Sequence, residues 1–358
     1  MYTSFLSFLS KLNRNRIYKR KLRKVDLELA SACSNCTKIF PEQIDKVLII
    51  DPLFCFGDAL YVNGLLKYLV DSGLDVSIVT FSRLKDIYCS TVDFCSIYDI
   101  ESSSEIEEVL SGQWDVVVDL CYMFNQRWKV RKEIVEKLKS YSFVCDKSIG
   151  NSLYRGVYSE CLDMSTSRHV GERMARIASR LLGHAVDNIR PYVGVEKNKE
   201  EIGSRYVYVN TVGGTVFRTL SKSQISRIAE EFNKRRQCGY FYCDKDFSLE
   251  ETLYVRKITP ENFKACLSVI ADAVGVISPD TSVVHAASAF NKPLLAFYCE
   301  NDPEHYGLPM SDIWAPVCSN SVVLKPSRRG VHRVSVSEID DEQLSSGLKT
   351  FFQFLENA

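Results

Sequence analysis

The sequence predicts an α/β fold made of two successive halves, each a mostly parallel sheet covered by helices. Three observations carry this. The chain has 358 residues, more than one compact domain usually holds at about 150 residues per domain. Short apolar, β-branched runs alternate with helical stretches, the pattern of βαβ units. The series breaks in polar text near residues 186–204 and then begins again.

The first half opens at "KVLIID" (46–51) and "DVSIVTF" (75–81), with the helical stretch "ALYVNGLLKYLVDSG" between them. "WDVVVDL" (114–120) and "YSFVC" (141–145) supply further strands, separated by charged helical sequence. The second half reads as "RYVYVN" (205–210), a helix from about Ser221 to Lys234, "GYFYC" (239–243), a helix from about Pro260 to Ala273, and "VGVIS" (274–278). A helix at 282–290 and the strand "PLLAFY" (293–298) complete it. The last segment places Leu344, Leu348, Phe351, Phe352 and Leu355 at helical spacing, the stripe of an amphipathic helix.

Composition excludes several classes. Lys plus Arg and Asp plus Glu both number 45, so global charge gives no argument for nucleic acid. No stretch approaches the ~20 apolar residues of a membrane span. The 13 cysteines are odd in number and scattered, which suits reduced thiols better than a disulfide framework. Cys33 and Cys36 form the one close pair, and no second ligand pair accompanies it at metal spacing. The first thirty residues put Phe5, Leu6, Phe8 and Leu9 before a basic run holding eight Lys or Arg between Lys11 and Lys24. That order is wrong for a signal peptide. It matches either a helix lying on an anionic membrane surface or a solvated arm.

Three stretches bear chemistry. In "GVISPDTSVVHAASAFNKPLLAFY" (275–298), Asp280, Thr281 and Ser282 stand where a strand gives way to a helix, and His285 follows one turn later. Such residues either cap the helix and nothing more, or help its N–H groups receive a phosphate. His285 is by the same logic either a core residue or a member of that site. In "VLIIDPLFCFGDALYVNGLL" (47–66), Gly57 allows a close turn and Asp58 begins a helix. Asp58 is a cap, or a cleft-facing carboxylate able to take a proton from a hydroxyl. A helix N-terminus would keep it ionised. In "YVYVNTVGGTVFRTLSKSQISRI" (206–228), a glycine-bearing loop offers Thr211, Thr215, Arg218 and Lys222, donors and charges suited to a diphosphate. Neither GxxxxGK[ST] nor GxGxxG occurs in the chain.

Together these stretches resemble the ADP-heptose:lipopolysaccharide heptosyltransferases of glycosyltransferase family nine, over roughly residues 45–310. The Gly57-Asp58 pair after the first strand and the series Asp280, Thr281, Ser282, His285, Lys292, Pro293 carry the likeness, with an Asp-Pro pair at 302–303. Ser282 stands where that family has glycine. The resemblance implies a GT-B architecture: two Rossmann-like domains with mostly parallel sheets facing across a cleft. It implies an acceptor-binding domain at 45–190, a nucleotide-sugar-binding domain at 191–335, and a helix at 336–358 that returns to the first domain, while the basic arm at 1–44 is longer than the family's usual start. Asp58 then corresponds to the catalytic base. Thr211, Thr215, Arg218, Lys222, Asp280, Thr281, Ser282 and His285 correspond to the donor side, and His169 and Arg173 to the acceptor side.

The function so implied is inverting, metal-independent transfer of heptose from ADP-heptose to the lipopolysaccharide core, at the inner face of the bacterial inner membrane. It needs no cofactor, and its partners are a nucleotide sugar, the core acceptor and an anionic membrane surface. Two alternatives stay open: transfer from a UDP-sugar such as UDP-N-acetylglucosamine, or non-catalytic binding of a nucleotide sugar or glycolipid. Nucleic-acid binding through residues 11–24 would instead leave Asp280 without a role.

Overall fold

The computed structural model describes residues 39–53, 55–89, 95–120, 127–146, 157–164, 166–194, 205–245, 247–300, 309–327 and 334–357. The basic run, the Cys33–Cys36 pair, the polar text at 195–204 and the Asp-Pro pair at 302–303 lie outside them. In chain order the first elements are β1 (Lys46–Ile50), α1 (Phe56–Asp71), β2 (Asp75–Thr80), α2 (Ser82–Cys89), β3 (Cys95–Asp99) and α3 (Ser103–Ser111). There follow β4 (Val116–Asp119), α4 (Trp128–Leu138), β5 (Tyr141–Asp146), β6 (Glu160–Asp163) and α5 (Val170–Leu182). The second series is β7 (Tyr206–Asn210), α6 (Lys222–Arg235), β8 (Cys238–Tyr242), β9 (Val255–Lys257), α7 (Phe263–Asp272), β10 (Gly275–Pro279) and α8 (Ser282–Ala289). It ends with β11 (Leu294–Phe297), α9 (Met310–Ile313), β12 (Ser321–Leu324) and α10 (Asp341–Glu356).

Each series forms one six-stranded sheet. The orders are β3-β2-β1-β4-β5-β6 and β12-β11-β10-β7-β8-β9. Every pairing in both is parallel. Counting strands within each series, both have the doubly wound order 3-2-1-4-5-6, whose crevice opens at the carboxyl ends of the two central strands, where the order reverses. For the second sheet those strands are β7 and β10, which pair through Val207 with Gly275 and Val209 with Ile277.

The described residues fall into two compact units that cut across chain order. One takes Met1–Leu53, Gly73–Ser82 and Cys95–Thr166, and the other takes Phe54–Ser72, Arg83–Phe94 and Ser167–Ala358. Helix α1 is therefore grouped with the second sheet, although its sequence belongs to the first half. Its own composition explains how: Ala59 to Leu66 are buried without a break, so it has no solvent face and must be covered on all sides. Within the second unit it packs on α8 and α5. Gly64 lets the chain at 190 approach closely, since a Cβ there would sit 2.0 Å from the Arg190 carbonyl oxygen. Buried Asn63 ties the same segment down, donating to the Tyr192 carbonyl at 3.1 Å.

Helix α10 buries the predicted stripe of Leu344, Leu348, Phe351, Phe352 and Leu355. It does so in the core of the second sheet, with Val207, Phe232, Phe241 and Leu324. Two glycines admit it: a Cβ on Gly275 would meet Leu355 at 2.6 Å, and one on Gly347 would meet Leu324 at 2.8 Å.

The first unit has its own core, and beside it a buried charge pair. Arg131, fully buried, donates from Nε at 2.8 Å to the equally buried Asp119 at the end of β4. The Tyr158 hydroxyl donates to the same carboxylate oxygen.

Candidate active site

The three stretches that carry the chemistry in the sequence meet in one cavity of about 710 Å³, within the size range of small-ligand sites. All of its lining residues belong to the second unit. Asp58, Arg218, Asp280, Thr281, Ser282 and His285 line it.

Asp58 stands third in α1, after Phe56 and Gly57, so it is not the cap; Cys55 is. Protein crowds its carboxyl, and burial pushes its pKa up from 3.8 to about 6, against smaller opposing effects of the Cys55 side chain and the Arg173 charge. This reverses the expectation that the helix start would keep it ionised, because desolvation outweighs the local dipole. Gly57 also has a different role from a turn. It has no positive φ, and a Cβ on it would lie 2.9 Å from His285 Cδ2. Glycine is there so that α1 can press against α8.

At the end of β10, Thr281 rather than Asp280 caps α8, its hydroxyl accepting from the Val283 amide at 3.3 Å. Asp280 is almost fully buried and faces Arg218 across 3.5 Å. Asn210, at the end of β7, was missed in the sequence. Its Nδ2 donates to the Val212 carbonyl (3.1 Å), Ser278 Oγ (3.1 Å) and Thr281 Oγ1 (3.3 Å). One amide thus fixes the glycine loop, the strand end and the helix cap together. The signal was available: a polar residue closing an otherwise apolar strand has to find partners when buried. In the loop, Gly213 is required because a Cβ would come within 2.6 Å of Arg218 backbone atoms.

His285 is neutral. Burial pushes its pKa down to about 3, and its ring sits 5.4 Å from Tyr61 and 5.3 Å from Trp314, centroid to centroid. Three of the expected donor-side residues do not line the cavity. Thr211 is buried and donates to the Tyr242 carbonyl at 3.0 Å. Thr215 is exposed and starts the short 3-10 turn Val216–Arg218; Lys222 is exposed at the start of α6. Both spend their sequence signal on helix entry.

His169 and Arg173 belong to α5 and its cap. His169 Nδ1 accepts from the Gly171 amide at 3.0 Å, so the ring proton is on Nε2, which lies 3.0 Å from the Ala315 carbonyl. Burial lowers its pKa, consistent with a neutral ring joining two segments. Arg173, one turn on, is near enough to Asp58 to favour its ionised form. Among the described residues no group of three or more His, Cys, Asp or Glu is placed to hold a metal ion.

The cavity also has an aromatic lining. Phe56, Phe263, Tyr208 and Tyr242 line it together with Pro260 and Cys266. Polar groups able to meet phosphates and flat aromatic surface in one cavity suit a nucleotide.

Residues 249–331 match the family model described as glycosyltransferase family 9 (heptosyltransferase), a span that includes β10, α8 and the cavity residues Asp280 to His285. Over this span the chain is similar to glycosyltransferase family 9. Its similarity to family 9 proteins extends well beyond the matched span. It is 24% identical over 332 residues to an Escherichia coli K12 protein described as "Putative lipopolysaccharide heptosyltransferase 4", covering 86% of this chain and 88% of that one. Two solved structures share the fold. The family 9 glycosyl transferase of Veillonella parvula superposes with a TM-score of 0.67 at 13% identity, over 88% of this chain and 98% of that one. The E. coli ADP-heptose lps heptosyltransferase II gives 0.66 at 13% identity, over 87% and 100%. The chain is accordingly a glycosyltransferase of GT-B fold.

Proposed function

We propose that this glycosyltransferase moves heptose from ADP-heptose to a hydroxyl of the lipopolysaccharide core, with inversion and without a metal. The observation that carries the reading is the sharing of one cavity by Asp58 and the start of α8 beside Arg218. Asp58 takes the proton of the acceptor hydroxyl as its oxygen attacks the anomeric carbon. The bond from that carbon to the diphosphate breaks, and ADP departs with the electron pair. Attack from the face opposite the leaving group inverts the centre. Negative charge growing on the diphosphate is met by the helix start at Thr281 and Ser282 and by Arg218. Arg218 is held for this by Asp280. Arg173 supports the ionised form of Asp58, which the reaction requires.

The donor assignment is supported by the names of the relatives and by the aromatic lining of the cavity. The family resemblance and the basic arm's composition support work at the cytoplasmic face of the inner membrane; no helix among the described residues is long and apolar enough to cross a membrane. The test is direct. Purified protein should be stabilised against heat by ADP more than by UDP. It should transfer heptose from ADP-heptose to core oligosaccharide from a strain lacking this protein, and Asp58→Asn should lower turnover by about 10²-fold or more with ADP binding kept. Stronger stabilisation by UDP would redirect the donor, and full activity in Asp58→Asn would remove the base.

A further inference from the structure

The aromatic lining of the cavity contains an arrangement that the transfer chemistry does not use. Phe56 and Phe263 stack face to face, their centroids 4.5 Å apart and their planes within 14°. The Arg83 guanidinium lies over the Phe56 ring, 5.7 Å from its centroid. All three residues line the cavity, and neither phenylalanine is fully buried. They come from three separate elements. Phe56 is the first residue of α1, two places before Asp58. Phe263 is the first residue of α7, following the cap Asn262. Arg83 lies in α2.

Two half-buried rings at helix starts are costly if they serve packing alone, since both could be covered by a core instead. Parallel stacking also departs from the edge-to-face contacts made by core pairs of this protein, such as Phe232 with Phe241 and with Phe352. A flat π-surface kept open to a ligand cavity, with a cation over one layer, is the form that recognises a heteroaromatic ring. From it we propose that Arg83, Phe56 and Phe263 form a layered platform for the nucleobase, with Phe263 as the stacking surface and Phe56 as the positioning residue that joins it to the helix carrying Asp58. The proposal rests on the nucleotide reading of the cavity. It adds that the base-binding end and the proton-accepting end are joined through one helix, so that docking of the base bears on α1.

The experiment uses the full chain with ADP as probe and dissociation constants from calorimetry. Phe263→Ala should weaken ADP by about tenfold or more, the loss of one base-stacking partner, while Phe263→Tyr should stay near the wild-type value. Phe56→Ala should weaken ADP less, and the double variant should bind no more weakly than Phe263→Ala, because the two rings act as one unit. In Phe263→Trp, ADP should quench the added indole fluorescence beyond the change seen in wild type, which already has Trp314 in the cavity. A melt of each variant without ADP separates loss of the platform from loss of fold. Unchanged ADP affinity in Phe263→Ala, strictly additive losses in the double variant, or no added quenching in Phe263→Trp would overturn the platform while leaving the nucleotide reading intact. Failure of the wild-type chain to bind either ADP or UDP would overturn both.

Discussion

Asp58 shows how a single residue's environment sets both activity and stability. Its folded pKa of about 6 lies above the ordinary 3.8 because burial penalises the charge. As the proposed base it must be ionised, so turnover should rise tenfold per pH unit below about 6 and level off above it, measured as kcat/KM for the donor. The linkage to stability has the opposite sense. Between pH 3.8 and about 6 the folded chain binds more protons at this site than the unfolded chain, so stability falls as pH rises through that window. Asp58→Asn, which removes the charge, should therefore melt higher than wild type at pH 8 and level with it below pH 4, while being nearly inactive. A lower melting temperature for Asp58→Asn at pH 8 would mean that the carboxylate is stabilised in the fold by partners stronger than its desolvation. Asp58, Asp280, Thr281, Ser282, His285 and Arg218 were readable in the sequence because polar residues interrupted apolar runs. Phe56, Phe263, Tyr208 and Trp314 were not, since an aromatic residue facing a cavity and one facing a core look alike in a one-dimensional pattern.

At the scale of elements, the contact between α1 and α8 leaves little room for a side chain at Gly57. Gly57→Ala should force a Cβ into the His285 ring, costing about 1–3 kcal/mol by overpacking and lowering turnover as Asp58 moves. Gly64→Ala, whose Cβ would meet backbone rather than a side chain, should cost more stability. Chemical denaturation of both, set beside their activities, checks the ranking; equal effects on both measures would mean that α1 shifts as a rigid rod. The strands show a comparable division. The central ones were evident in the sequence, and their burial is continuous, as in β1 and β7. The four that the sequence did not reveal, β3, β6, β9 and β12, are the four sheet edges. Edge strands are covered less and need no unbroken apolar run, and β3 ("CSIYD") and β6 ("ECLD") have only partly covered or exposed residues.

For the whole molecule, the doubling of one topology was legible from the broken series of strands, whereas the grouping of α1 and α5 with the second sheet was not. That grouping depends on side-chain packing across long sequence separations, which periodicity does not encode. The first unit holds a separate liability. Asp119 and Arg131 are both wholly buried, so removing Asp119 leaves a buried guanidinium without its carboxylate. Asp119→Ala should destabilise the chain by about 3–5 kcal/mol, read as a lower urea midpoint. A change under 1 kcal/mol would show that water or a neighbour readily takes over the arginine.

The grouping of Phe54–Ser72 with the second sheet also bears on how such genes can recombine. A crossover near residue 190, at the seam suggested by the linear order of strands, would pair the Asp58-bearing helix of one parent with the Thr281-capped helix of the other. Exchange there would succeed only between parents that agree on the glycine at 57 and the imidazole at 285. Acceptor preference could then diversify by shuffling only among lineages already matched at this one junction.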